Sequence, residues 1–243
     1  MIQHAFKHAF SAIDPRPYWK QVSPRTSVLL LLAAVMPAVH YTFGSITFGR
    51  TTLGLGEHDA VMYMFAAAAL SFGIIPALVM KLMGASLSDY GIGIGDWKIG
   101  LAAVAVLYPL VLVLTLLPGA YTPELQNFYP FDRQALLSWG ALAQLELWRA
   151  VVYYYAWEFF FRGVLLFGLR KELGDWTAIC IQVIPSCLWH LGMPTSEIFS
   201  SILAGFGFAI LALRTRSFLW PYVIHVLIGA GMDALIKLVI STQ

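Results

Sequence analysis

Long apolar runs, broken by short clusters of glycine, proline and charge, divide most of the chain. They fall at 27–43, 60–80, 99–117, 139–169, 175–191, 197–213 and 217–239. A helix needs about 20 mostly apolar residues to cross a hydrocarbon core. The pattern therefore predicts an all-α fold, a polytopic transmembrane helix bundle of about seven spans. The fourth run exceeds a bare crossing, so it is expected to begin as an interfacial helix or to emerge into solvent around Glu146 and Arg149. In the sixth, Ser201 and Gly205 stand one turn apart, as do Ser200 and Ala204. Faces of small residues let membrane helices approach closely, which places this span at the centre of the bundle. No linker is long enough to separate two domains. The chain reads as a leader over 1–26 and one transmembrane domain over 27–243.

Composition agrees with a bilayer setting. Hydrophobic residues make up 59% of the 243 positions and charged residues only 12%, against about a quarter charged in soluble domains. A net charge of +2, scattered along the chain, gives no footprint for nucleic acid. The leader carries Lys7, Arg16, Lys20 and Arg25 with two His-Ala-Phe triplets, and the apolar run that follows has no small-residue cleavage site. That run is expected to be a retained membrane helix, not a signal peptide. With the leader inside, the inner segments hold its four cations plus Lys81, Lys98, Arg170, Lys171, Arg214 and Arg216. The outer segments hold only Arg50, Arg133 and Lys237. The positive-inside rule then predicts a cytoplasmic N-terminus and an external C-terminus, in a bacterial or archaeal cytoplasmic membrane. Cys180 and Cys187 share one helix face in an apolar run, as expected of buried free thiols and not of a disulfide.

Several familiar motifs are excluded by context. Gly93-Ile94-Gly95-Asp96 imitates both an intramembrane aspartyl-protease string and a damaged phosphate loop. No strand precedes it, and the span at 60–80 holds no partner aspartate. Asp96 is expected simply to start the third helix, where an acid favours the dipole. The chain contains neither a His-Glu-x-x-His helix nor a Gly-x-Ser-x-Gly elbow. What remains are ionisable groups at membrane depth: His40, Glu158, Arg162, His190, His225 and Asp233. Such groups are expensive in lipid and usually face a bundle interior or a wet cavity. Glu158 and Arg162 are four apart in WEFFFRG and share a helix face, glutamate first. Tyr154 and Tyr155 lie one turn earlier, in place to donate hydrogen bonds to the carboxylate. Arg162 favours the ionised carboxylate, which suits a group that takes a proton from water. His190 lies at the end of the fifth run, closed by Gly192 and Pro194, whereas His225 sits well inside the last. Glu197 reads most simply as a first-turn acid.

At these residues the chain resembles the CAAX prenyl protease and abortive-infection family of intramembrane endopeptidases. The family's Glu-Glu-x-x-x-Arg motif aligns with WEFFFRG through Glu158, Arg162 and Gly163. Its Phe-x-x-x-His motif meets SCLWH at His190, and its His-x-x-x-Asn/Asp motif meets HVLIG at His225. A protease-like core at about 139–239 follows. The chain departs from the pattern at Trp157, in the place of the first glutamate, at Ser186, in the place of the phenylalanine, and at Gly229, in the place of the Asn/Asp.

The resemblance implies water-mediated hydrolysis of peptide bonds in membrane-anchored proteins or peptides, in contact with the lipid bilayer and without nucleic acid. Glu158 and His190 would activate the water, His225 would stabilise the oxyanion, and Arg162 would orient Glu158. Asp233 or Glu197 would supply the polar group missing at Trp157. No cofactor is required by this scheme. The alternative, zinc held by Glu158, His190 and His225, has the right ligand types but no local metal spacing. Glu158, His190 and His225 are expected to converge on one polar cavity near mid-membrane, with Trp157 on its wall. Two other functions compete: a non-catalytic membrane scaffold or immunity-type protein, favoured by Trp157, and a proton-coupled transporter. The absence of internal repeats counts against the transporter.

Overall fold

The computed structural model describes residues 11–12, 14–15 and 21–242. The two His-Ala-Phe triplets of the leader, with Lys7, Arg16 and Lys20, lie outside the described residues. The described chain is helical throughout: α1 Pro24–Phe43, α2 Ile46–Thr51, α3 Glu57–Leu82, α4 Trp97–Gly119, α5 Pro123–Phe128, α6 Trp139–Leu173, α7 Asp175–Leu188, α8 Thr195–Thr215 and α9 Leu219–Ser241. Six segments are long and apolar enough to cross a membrane: α1 with α2, α3, α4, α6, α8 and α9. The fifth predicted span, which is α7, has 14 residues, or about 21 Å of helix, less than the roughly 30 Å of a hydrocarbon core.

The central helix is α6. Of its apolar stretch, 83% is buried inside the protein, against 11–39% for the other five spans. A helix that is apolar on every side belongs in an interior. From Ala156 to Leu169 every residue of α6 is buried, including three consecutive phenylalanines. The expectation that the small-residue span would be central is therefore corrected. In α8 only 33% of the stretch is buried. Its small face serves a local contact instead: a Cβ on Gly205 would come within 3.1 Å of Val183 in α7, and Gln182 donates from Nε2 to the Gly205 carbonyl at 3.1 Å.

The long fourth run is one continuous helix of 35 residues, about 52 Å in length. It does not emerge into solvent at Arg149, which is fully buried. The segment before α6 folds over that end, with Phe131 under the Arg149 guanidinium and Asp132 buried. The other end of α6 is tied to the start of α1. Glu172 accepts from the Ser23 amide at 2.8 Å and from the Ser23 and Thr26 hydroxyls at 2.7 and 2.6 Å. Gly174, at φ +79°, reverses the chain into α7, a backbone state that favours glycine.

Asp96 is the cap that the sequence predicts. Its carboxylate accepts from the Ile99 amide at 3.2 Å at the start of α4, and its own amide donates to the Thr215 carbonyl. The glycine-rich loop around it clamps the α8–α9 turn. Ser217 donates to the Gly93 carbonyl, Trp220 donates to the Ile94 carbonyl at 2.7 Å, and a Cβ on Gly95 would strike the Thr215 carbonyl at 2.0 Å. Cys180 and Cys187 are free thiols, half-buried and not fully enclosed.

Candidate active site

Glu158 is held by an irregular stretch of α6. The segments Arg149–Tyr154 and Phe159–Leu165 are π-helical, and Tyr155–Glu158 is the single α turn between them. The Tyr155 amide bonds the Ala150 carbonyl and the Leu166 amide reaches the Phe161 carbonyl, each five residues back. Inserted π turns re-aim side chains along a helix and recur at functional sites.

The Glu158 side chain is fully buried. Its Oε1 lies 3.2 Å from Nη1 of Arg162 and 2.7 Å from Nδ1 of His225 in α9. A carboxylate paired with a guanidinium accepts and does not donate, so His225 donates from Nδ1 and Nε2 is its remaining nitrogen. Among the described residues, Oε2 of Glu158 has no hydrogen-bond partner. Arg162 is enclosed by aromatic rings, with Phe208 and Phe161 centred 5.4 and 6.0 Å from the guanidinium carbon. Each such contact adds a modest attraction for the cation. His225 lies against Tyr154, ring centres 4.2 Å apart, and near Phe208 at 5.8 Å.

His190 is brought alongside the pair but not onto the carboxylate. It sits in the turn after α7, half-buried, and its Nδ1 is 2.7 Å from the Ser186 carbonyl. Its ring meets Trp157 edge-on at 5.8 Å. Trp157 itself fills an aromatic box, within 4.6 Å of Phe161, 5.5 Å of Phe72 and 6.1 Å of Trp189 between ring centres. The tyrosines before it behave differently from expectation. Tyr154 packs on His225 and gives the carboxylate no hydrogen bond. Tyr155 is 41% exposed and meets Phe218 and Tyr222.

The two supporting acids lie elsewhere. Asp233 is fully buried, 3.2 Å from Nη2 of Arg149. That same guanidinium reaches Glu146 through Nε and Nη2, at 3.1 and 2.7 Å. Asp233 thus balances a second arginine and not the position of Trp157. Glu197 stands in the first turn of α8 and accepts from the Tyr129 hydroxyl at 2.6 Å. Burial, and then the charge of Glu197, push the Tyr129 phenol well above its ordinary range, so it keeps the proton that it donates. Sequence reasoning set Arg149 aside as a group near solvent. The available signal was Asp233: a carboxylate at membrane depth needs a cation, and of the arginines on α6 Arg162 is engaged by Glu158 and Arg170 by Asp175, which leaves Arg149.

No three His, Cys, Asp or Glu side chains gather in a geometry that could hold a metal ion among the described residues. Glu158 and His225 bond directly to each other, and His190 turns its Nδ1 to a backbone carbonyl.

Residues 139–231 match the family model described as type II CAAX prenyl endopeptidase, Rce1-like. The resemblance drawn from the sequence motifs is thereby shown, over the segment from the start of α6 to Gly231. It spans Glu158, Arg162, His190 and His225 and ends two residues before Asp233. No curated protein and no solved structure matches the chain. Over that segment the chain is similar to this family, and its six long apolar helices are those of an integral membrane protein.

Proposed function

We propose that this protein is an intramembrane endopeptidase acting on membrane-anchored proteins or peptides, its N-terminus on the cytoplasmic side. The observation that carries the reading is the buried contact of Glu158 with His225, made between α6 and α9 and backed by Arg162. An acid, an imidazole and a counter-ion held together away from solvent are the parts that a water-activating site needs.

In this reading the reactant is water, with no metal or other cofactor. Oε1 of Glu158 is engaged by Arg162 and His225, so Oε2, without a partner, takes the proton as the water oxygen attacks the scissile carbonyl. The carbonyl electrons move onto oxygen and the tetrahedral anion forms. On collapse the C–N bond breaks, and Glu158 returns its proton to the departing amine. His225 fixes the carboxylate and faces the developing anion, and His190 stands beside it, edge-on to Trp157.

The test is co-expression with candidate membrane-anchored substrates, comparing wild type with Glu158→Gln, His225→Ala and His190→Ala. Processing by wild type and its loss in Glu158→Gln is the expected result. Equal processing by all four proteins would remove the peptidase reading. Two observations favour a non-catalytic protein of the same fold: Glu158 has no exposed surface, and an indole occupies the place of the family's first glutamate. Wild type and Glu158→Gln would then be indistinguishable against every substrate while folding equally well.

A further inference from the structure

Tyr154 is the unassigned polar group nearest this chemistry. Its side chain projects from the π-helical part of α6 and is 8% exposed. The ring lies 4.2 Å from the imidazole of His225 and 5.4 Å from the guanidinium of Arg149. Its hydroxyl crosses to α9 and ends over Gly229. A Cβ built on Gly229 would stand 2.2 Å from the phenol oxygen and 2.9 Å from Cζ. No side chain other than hydrogen fits there while Tyr154 keeps its place. Gly229 is one turn beyond His225 on the same helix face, where the third sequence motif has Asn or Asp. The phenol therefore occupies the volume in which a polar side chain at 229 would begin. Among the described residues no group hydrogen-bonds this hydroxyl. It is a donor without an acceptor, set beside the imidazole that binds Glu158.

We infer that Tyr154 is a further catalytic residue whose hydroxyl donates a hydrogen bond to the substrate's carbonyl oxygen beside His225, with Gly229 as the residue that makes room for it. The inference rests on the peptidase reading above. The step is the same addition: the water proton goes to Glu158, the carbonyl electron pair moves onto oxygen, and that oxygen accepts from the Tyr154 O–H, which keeps its proton. A donor aimed at charge that exists only after attack lowers the barrier more than it strengthens substrate binding. A packing role would need only the ring. Tyr154→Phe keeps the ring against His225 and removes only the donor.

Purified wild type, Tyr154→Phe, Gly229→Ala and Glu158→Gln are assayed on a substrate that wild type processes, with kcat, KM and the melting temperature recorded. Tyr154→Phe is expected to lose about 10²–10³-fold in kcat with KM and melting temperature nearly unchanged. Gly229→Ala approaches from the other helix: its added methyl must displace the phenol, so kcat falls there too. Wild-type kcat in Tyr154→Phe, with Glu158→Gln inactive, would overturn the role of Tyr154 and leave the peptidase reading standing. A loss of kcat in Tyr154→Phe matched by an equal loss of folded protein, with the folded fraction turning over normally, would also overturn it. If wild type and Glu158→Gln are equally inactive on every substrate, the peptidase reading fails first and takes this role with it.

Discussion

Two glutamate–arginine pairs lie along α6, Glu146 with Arg149 and Glu158 with Arg162, and each is completed by a residue of α9. In the first, one guanidinium sits between two carboxylates, Glu146 and Asp233. In the second, one carboxylate oxygen sits between a guanidinium and an imidazole. The exchange of centre decides what each cluster can do. A guanidinium holds its proton at any working pH and can only bind charge, so the Arg149 cluster fastens α6 to α9. A carboxylate flanked by an imidazole can take a proton and return it, so the Glu158 cluster can carry a reaction. Tyr154 lies between them, with its ring against both Arg149 and His225.

The sharpest way to break this contrast is to neutralise each centre. Glu158→Gln keeps size and burial and is expected to abolish processing, a loss of at least about 10²–10⁴-fold, while the melting temperature in detergent barely moves. A large drop in stability without loss of processing would place Glu158 with the fasteners. Arg149→Ala is the mirror case. It strands Glu146 and the fully buried Asp233 and should cost about 3–5 kcal/mol, seen as lost folded protein. An Arg149→Ala protein that melts like wild type would show that the cluster does not fasten the helices.

Arg162→Ala should fall between, at about 1.5–3 kcal/mol, because His225 still engages Glu158. It should also lower processing by mispositioning the carboxylate. Unchanged thermal unfolding and unchanged turnover together would remove Arg162 from the site. Asp96→Ala, remote from both clusters, removes only a helix cap. Its expected cost, about 1 kcal/mol with normal processing, sets the scale against which the other losses are read in the same thermal assay.

Much of this molecule is legible without coordinates. The spans are local facts, since length and apolarity decide whether a helix can cross lipid, and they appear within a few residues of their predicted ends. The cap at Asp96 is local too, because an N-cap acts on amides two or three residues away. The Glu158–Arg162 pair follows from helical spacing. It persists even though π turns interrupt the ladder, because both side chains leave one face of a single helix.

What tertiary structure decided are the choices among equivalent partners. Six ionisable groups at membrane depth must each be satisfied, but burial cost does not say by whom. His225 is 67 residues from Glu158 in sequence, and Asp233, eight residues further along α9, meets a different arginine. The centre of the bundle is hidden from the sequence for a related reason. Small residues permit close approach without fixing which helix is surrounded, and α6 is surrounded because its phenylalanines are apolar on every side. The contact of Tyr154 with Gly229 has no signature in either residue alone. A glycine's missing side chain acquires meaning only when another helix brings a phenol into the space left free.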